Sequence, residues 1–171
     1  IILVLAWSMS EISRELHTAD FLIASLGDSL PAAALPAVIF VLAAFTAFST
    51  GSSWGAMGIL LPLVLPLCWA IMSMEGMTAG EDYFVLYSSV AGVLAGAVWG
   101  DHCSPISDTT VMSSLSAGCD HIEHVRTQLP YALLAGAAAL GAGTLPTSFG
   151  LPWWLGMLAA AAVTVVGLRL L

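Results

Sequence analysis

The fold class this sequence predicts is an all-α polytopic membrane protein, and three observations predict it. Of 171 residues, 59% are hydrophobic and only 8% charged, where a soluble domain carries about a quarter charged residues. The apolar residues gather into runs close to the ~20 positions that a membrane-crossing helix needs. Those runs are interrupted by short polar breaks rich in Gly, Ser, Thr and Asp. The apolar content excludes a disordered chain, and a net charge of −8 excludes a nucleic-acid partner, because it would repel phosphate. The lipid bilayer is therefore the expected surrounding.

Residues 1–9, opening Ile1-Ile2-Leu3-Val4-Leu5-Ala6-Trp7, read as the end of a spanning helix begun upstream. Neither an initiator Met nor a basic stretch precedes them, so a signal peptide is not expected and the chain reads as part of a larger membrane protein. Residues 10–30 mix charge (Glu11, Arg14, Glu15, His17) with Phe21, Leu22, Ile23 and Leu26, as an amphipathic segment lying in the interface does. Apolar runs 33–49 and 54–72 flank the first break. If both arms span fully, that break is a plain loop. If Pro62 and Pro66 end the second arm, the segment is a re-entrant hairpin over about 33–66, with Thr50, Gly51, Ser52 and Ser53 at its tip.

An acidic loop at 75–82 precedes the apolar run 83–100, in which Gly92, Gly96 and Gly100 repeat every four residues and admit another helix closely. Packing within the chain accounts for that stripe; a homodimer seam is the alternative use. The second break, Gly100-Asp101-His102-Cys103-Ser104-Pro105-Ile106-Ser107-Asp108-Thr109-Thr110, contains a proline that cannot continue a helical ladder. Asp108 or Thr109 suits the N-cap of the next half-helix, so a broken helix is expected over about 83–118. Residues 119–129 read as a solvated loop holding His121, His124 and Arg126, placed on the cytoplasmic side by the excess of arginine. Closing helices are expected at 130–145 and 153–171, with Trp153 and Trp154 in an aromatic belt.

The chemistry concentrates in the second break. A carboxylate at membrane depth is costly, which makes Asp101 and Asp108 functional candidates. Sodium is a hard cation that takes oxygen ligands, by the logic that governs calcium and magnesium. Asp101, Ser104, Ser107, Asp108, Thr109 and Thr110 offer such oxygens within ten residues, and the tip of the first break would add more if it folds against them. Removal from water favours the protonated form of a carboxyl group, whereas a bound cation favours the carboxylate. One site can then hold either H⁺ or Na⁺, the minimum an exchanger needs. His102, beside Asp101, would tune the site or pass protons.

Other motifs lead nowhere. Gly51-Ser52-Ser53-Trp54-Gly55 fits GxSxG, but that nucleophile elbow needs a strand before it, and none is expected, so no enzyme activity is expected either. His121-Ile122-Glu123-His124 has neither zinc-protease spacing. Cys68, Cys103 and Cys119 form no CxxC and read as packing residues.

Thr50-Gly51-Ser52-Ser53-Trp54-Gly55, with Leu61-Pro62-Leu63 beyond it, resembles the TGSSWGT…LP signature of the NhaC family of Na⁺/H⁺ antiporters. The block Gly100–Thr110 resembles that family's GDHCSPISDTT, and His121 through Gln128-Leu129-Pro130-Tyr131-Ala132 is similar to its H…QLPYA stretch. The likeness covers about residues 1–145. Ala56 stands where the family often has Thr, which removes one hydroxyl. The resemblance implies a secondary carrier of the ion-transporter superfamily, built from two inverted repeats, each with a re-entrant hairpin and a broken helix. This chain would be the C-terminal repeat, and the N-terminal repeat of the same carrier its partner. The implied function is Na⁺/H⁺ exchange by alternating access, with Na⁺ and H⁺ as transported ions competing at Asp108 and Asp101 and no cofactor, in a prokaryotic-type plasma membrane. Related exchangers couple Na⁺ or H⁺ to organic acids or amino acids. Arg14, Arg126 and Arg169 all lie outside the expected apolar core, which favours cation transport over that alternative. A membrane scaffold whose breaks are mere loops is the reading of another class.

Overall fold

The computed structural model describes residues 14–26 and 30–170, together with Val4, Ser8, Glu11 and Ile12. Most of the expected N-terminal span, at 1–9, therefore lies outside the described residues. Helix α1 covers Thr18–Leu26; a 3-10 turn, Ala32–Ala34, runs into α2, Leu35–Thr50; and α3 is Ser53–Met74. A second 3-10 turn, Gly80–Asp82, opens α4, Tyr83–Cys103, and α5 is Asp108–Ala117. Helix α6, His121–Ala138, passes through a π-helical stretch, Ala139–Thr144, into the short α7, Leu145–Ser148, and α8 is Trp153–Leu168. Every regular element among the described residues is helical. Among the described residues, four continuous helical stretches, Ala32–Thr50, Ser53–Met74, Gly80–Cys103 and His121–Ser148, are long and apolar enough to cross a membrane.

Glycine spacing sets the central packing. The α4 residues Gly92, Gly96 and Gly100 face Pro36, Phe40 and Ala44 of α2, and the numbers rise together along both helices. The two helices therefore run parallel, backbone against backbone, and α3 carries the chain back from the end of one to the start of the other. At Gly96 and Gly100 a Cβ would lie 2.2 Å and 2.0 Å from the carbonyl oxygens of Phe40 and Ala44. Only a residue without a side chain permits that approach. Around this pair, Leu35, Ile39, Cys68, Ile71, Met72, Val85 and Val93 form a buried apolar cluster. Cys68 and Cys103 are buried and Cys119 is exposed, and all three are free thiols.

The boundaries differ from the sequence expectation in two places. Pro62 and Pro66 lie inside α3, which continues to Met74 instead of stopping near residue 66. A proline removes one ladder bond and crowds the preceding turn. Here the surrounding helix is held by packing, with Val64, Leu67, Cys68, Ile71 and Met72 buried. The stretch 119–129 is not a loop. Asp120 caps α6 by accepting the backbone N–H groups of Ile122 (2.9 Å) and Glu123 (3.1 Å), so the helix starts at His121 and carries Pro130 within it.

Candidate functional site

The two polar breaks lie against each other because α2 and α4 run parallel and end at the same level. Gly51 has φ of 67°, a left-handed turn suited to glycine, and its Cα faces the Ile106 backbone so closely that a Cβ would sit 2.8 Å from the Ile106 oxygen. Ser104, fully buried, donates its hydroxyl to the Phe48 carbonyl at 2.8 Å. These two contacts clamp the end of α2 to the break between α4 and α5.

Within the break, Asp101 is the buried carboxylate, 4% exposed in the last turn of α4. Its Oδ1 accepts the Ser107 hydroxyl at 2.8 Å and its Oδ2 accepts the Thr109 hydroxyl at 3.0 Å. Ser107 is also the N-cap of α5, accepting the Thr109 N–H at 3.2 Å. The four-residue link Ser104–Ser107, with Pro105 inside it, therefore folds the start of α5 back over the end of α4 and delivers two hydroxyls to one carboxylate. Asp101 pairs with no basic side chain among the described residues, while Arg14 and Arg126 pair with Glu11 and Glu123. Burying a carboxylate is costly unless it is paired or hydrogen-bonded, and here the two hydroxyls supply the hydrogen bonds.

The remaining sequence candidates fall in different places. Asp108 is exposed and accepts the Thr109 N–H at 2.8 Å, so it borders the Asp101 cluster without entering it. Thr110 is 3% exposed, and its Oγ1 finds no hydrogen-bond partner among the described residues. Thr50 turns its hydroxyl back to the Thr46 carbonyl at 2.8 Å, and Ser52 caps α3 by accepting the Gly55 N–H at 3.3 Å. The first break thus meets the second through the Gly51 backbone, and the Thr50 and Ser52 hydroxyls are engaged within their own hairpin. His102 is exposed; its carbonyl accepts the Gln128 side-chain amide at 2.6 Å. No group of three His, Cys, Asp or Glu side chains gathers among the described residues, so any cation here would rest on Asp101, hydroxyls and backbone oxygens.

Residues 1–145 match the model of the Na⁺/H⁺ antiporter family. The chain belongs to that family. It is 40% identical over 96% of its length to an uncharacterized protein of Haemophilus influenzae, covering 30% of that protein. It is 35% identical over 55% of its length to a Haemophilus influenzae protein named as an uncharacterized Na⁺/H⁺ antiporter, covering 19% of it. It is 31% identical over 52% of its length to the malate-2H⁺/Na⁺-lactate antiporter of Bacillus subtilis, covering 17% of it. The chain thus spans less than a third of the length of these curated relatives. No solved structure matches it.

Two contacts of this antiporter-family chain escape a residue-by-residue reading. Ser114 and His121 are joined at 3.0 Å, and the other nitrogen of His121 lies 2.7 Å from the Pro105 carbonyl. No local spacing signals them, because His121 opens the next helix beyond the Gly118 turn and reaches back to both partners only in the fold.

Proposed function

We propose that the protein containing this chain is a secondary active transporter that exchanges Na⁺ for H⁺ across a plasma membrane. Asp101 holds the two ions in turn. The observation that carries the reading is the buried Asp101 carboxylate, bonded to the Ser107 and Thr109 hydroxyls at a helix break and lacking a basic partner among the described residues. Broken helices of this kind build the ion sites of secondary transporters, where an interrupted backbone frees polar groups at membrane depth. Asp108, exposed beside the cluster, serves ion entry, and Thr110 adds a further hydroxyl. An N-terminal repeat of the same carrier packs on the exposed side of the break, as the NhaC-like pattern of residues 100–110 implies, and alternating access arises from motion of one repeat against the other.

A second reading is supported by the names of two relatives. One is the malate-2H⁺/Na⁺-lactate antiporter, and the other is the arginine/ornithine antiporter of Halobacterium salinarum, 31% identical over 61% of this chain. On that reading Asp101 binds the coupling ion while an organic acid or amino acid is the cargo.

The experiment is reconstitution of the full-length protein into acid-loaded proteoliposomes with a pH-sensitive dye, adding Na⁺, Li⁺, K⁺ and candidate organic ions in turn. Dissipation by Na⁺ alone, lost in Asp101→Asn, supports Na⁺/H⁺ exchange. Dissipation only in the presence of an organic ion moves the assignment to the second reading. A folded, inserted protein that answers to neither is not a carrier of this kind.

A further inference from the structure

Helix α6 grips the second break at three levels, its residue numbers falling as those of α4 and the link rise. At the first level the Trp99 indole N–H donates to the Ala132 carbonyl at 2.6 Å, and the Trp99 ring lies against Gly136, where a Cβ would have no room. At the second, the Gln128 side-chain amide donates to the His102 carbonyl at 2.6 Å. At the third, His121 Nε2 lies 2.7 Å from the Pro105 carbonyl; a carbonyl only accepts, so the ring donates. The Ser114 hydroxyl of α5, 3.0 Å from Nδ1, orients that ring. His121 and Gln128 are seven residues apart, two turns along one face of α6. The last carbonyls of a helix have no partner inside it, and the end of α4 is satisfied from two sources. The Asp101 carbonyl takes the Ser104 N–H at 3.0 Å, and the Ser104 carbonyl takes the Ser107 N–H at 3.4 Å. The carbonyls of His102 and Pro105 are taken by α6. One follows Asp101 directly and the other precedes Ser107 by two residues.

We propose that Gln128 and His121 are positioning residues of the ion site, which fix its affinity for Na⁺ by tying the backbone of the break to α6. The inference rests on the reading of Asp101 as the cation site. Neither side chain is hydrogen-bonded to Asp101, Ser107 or Thr109 among the described residues, so neither is offered as a ligand. Their action runs through the chain between those groups. Asp101 and Ser107 stand at the two ends of the link, and the site exists only while the link holds the Ser107 and Thr109 hydroxyls at 2.8 Å and 3.0 Å from the carboxylate. Ser104 fastens that link to α2 through the Phe48 carbonyl; Gln128 and His121 fasten it to α6 on either side of Ser104. With the α6 bonds cut, two carbonyls lose their partners and the link is held at one point instead of three. A cation bound by a few oxygens is sensitive to such loosening, because groups behind the ligands keep them aimed at the ion. The Trp99 contact is the fixed seat from which α6 reaches the break, since Trp99 also stacks on Phe40 of α2 at 5.6 Å.

The test titrates Na⁺-driven H⁺ movement against Na⁺ at one fixed pH, with the full-length protein in proteoliposomes. Gln128→Met keeps the length of the side chain without a donor, and His121→Ala removes the ring. Each should raise the Na⁺ KM about tenfold and keep kcat within about twofold, the pattern of a group that sets affinity alone. His121→Gln, whose amide restores a donor to the Pro105 carbonyl, should bring KM back to within about threefold of the unaltered protein. Thr127→Val is the control on α6, because the Thr127 hydroxyl bonds only to the Glu123 and His124 carbonyls of its own helix; its KM should not move. An unchanged KM in Gln128→Met and His121→Ala overturns the assignment. So does a fall in kcat at constant KM, or an equal KM rise in Thr127→Val, either of which makes α6 a structural support only. Should His121→Ala fail to insert, Gln128→Met decides alone. Asp101→Asn, run alongside, separates the two levels. If it is silent while the α6 variants keep their KM, the site stands and the assignment of Gln128 and His121 fails. If it transports like the unaltered protein, or the unaltered protein moves no Na⁺, the Asp101 reading fails and the assignment falls with it.

Discussion

Gly100→Ala probes the approach of α2 and α4 at its tightest point. The added Cβ would lie 2.0 Å from the Ala44 carbonyl oxygen and 2.6 Å and 2.7 Å from its C and Cα. All three are backbone atoms, so no side chain can swing aside. Ordinary contact begins at 3.4 Å, which leaves a shortfall of about 1.4 Å that only separation of the two helices can relieve. Forcing a methyl group into a packed interior costs typically 1–3 kcal/mol, and with main chain on both sides the upper end, about 3 kcal/mol, is expected here. A domain of 150–250 residues loses roughly 2–4 °C of Tm per kcal/mol, and a longer full-length protein should lose less than the corresponding ~6–12 °C. The assay is thermal unfolding of the full-length protein in detergent. Gly96→Ala and Gly92→Ala, whose Cβ atoms would lie 2.2 Å and 2.8 Å from carbonyl oxygens, should show successively smaller losses. Gly80→Ala, with no heavy atom within 4 Å, serves as the control. A Gly100→Ala protein as stable as the Gly80→Ala protein, or a reversed order along the stripe, refutes the parallel backbone packing.

The other predictions concern the break and its supports. Gly51→Ala combines a positive φ with a Cβ 2.8 Å from the Ile106 oxygen; on the proposed Na⁺/H⁺ exchange it should weaken apparent Na⁺ affinity by separating the two breaks, and a titration of transport rate against Na⁺ checks this. Ser104→Ala removes the hydroxyl bonded to the Phe48 carbonyl and should cost about 1 kcal/mol of stability, measured by the same unfolding assay, with a matching rise in Na⁺ KM. Asp120→Ala removes the cap of α6; about 1 kcal/mol should be lost, and Asp120→Asn should restore most of it. Asp108→Asn should lower the transport rate while leaving residual exchange, because Asp108 is exposed, whereas Asp101→Asn should leave none; equal effects on both would count against Asp101 as the primary site.

Much of this arrangement is legible in the residues themselves. The apolar runs mark the spanning helices because a bilayer leaves a helix no other way to satisfy its backbone. The stripe Gly92, Gly96, Gly100 announces a close helix contact through its four-residue repeat. Pro105 beside Ser107 and Asp108 announces the break and the restart of a helix. Other features are less visible. Pro130 looks like a helix start, yet the helix begins at His121 under the Asp120 cap and packing carries it through the proline. Pro62 and Pro66 look like stops, and packing carries α3 past them in the same way.

The sequence by itself determined that the chain is built of apolar helices, that polar breaks interrupt them, and which ten residues gather the polar groups, because those depend on local hydropathy and backbone restrictions. It offered Asp101 and Asp108 as near equals, since both are carboxylates in one polar segment. Only the tertiary structure separates them: the parallel seating of α2 on α4 brings Phe48 and Gly51 against the break, and the link Ser104–Ser107 folds α5 back so that Asp101 is covered and bonded while Asp108 faces outward. Burial depends on what lies across from a residue, and that is a property of the fold, not of its neighbours in the chain.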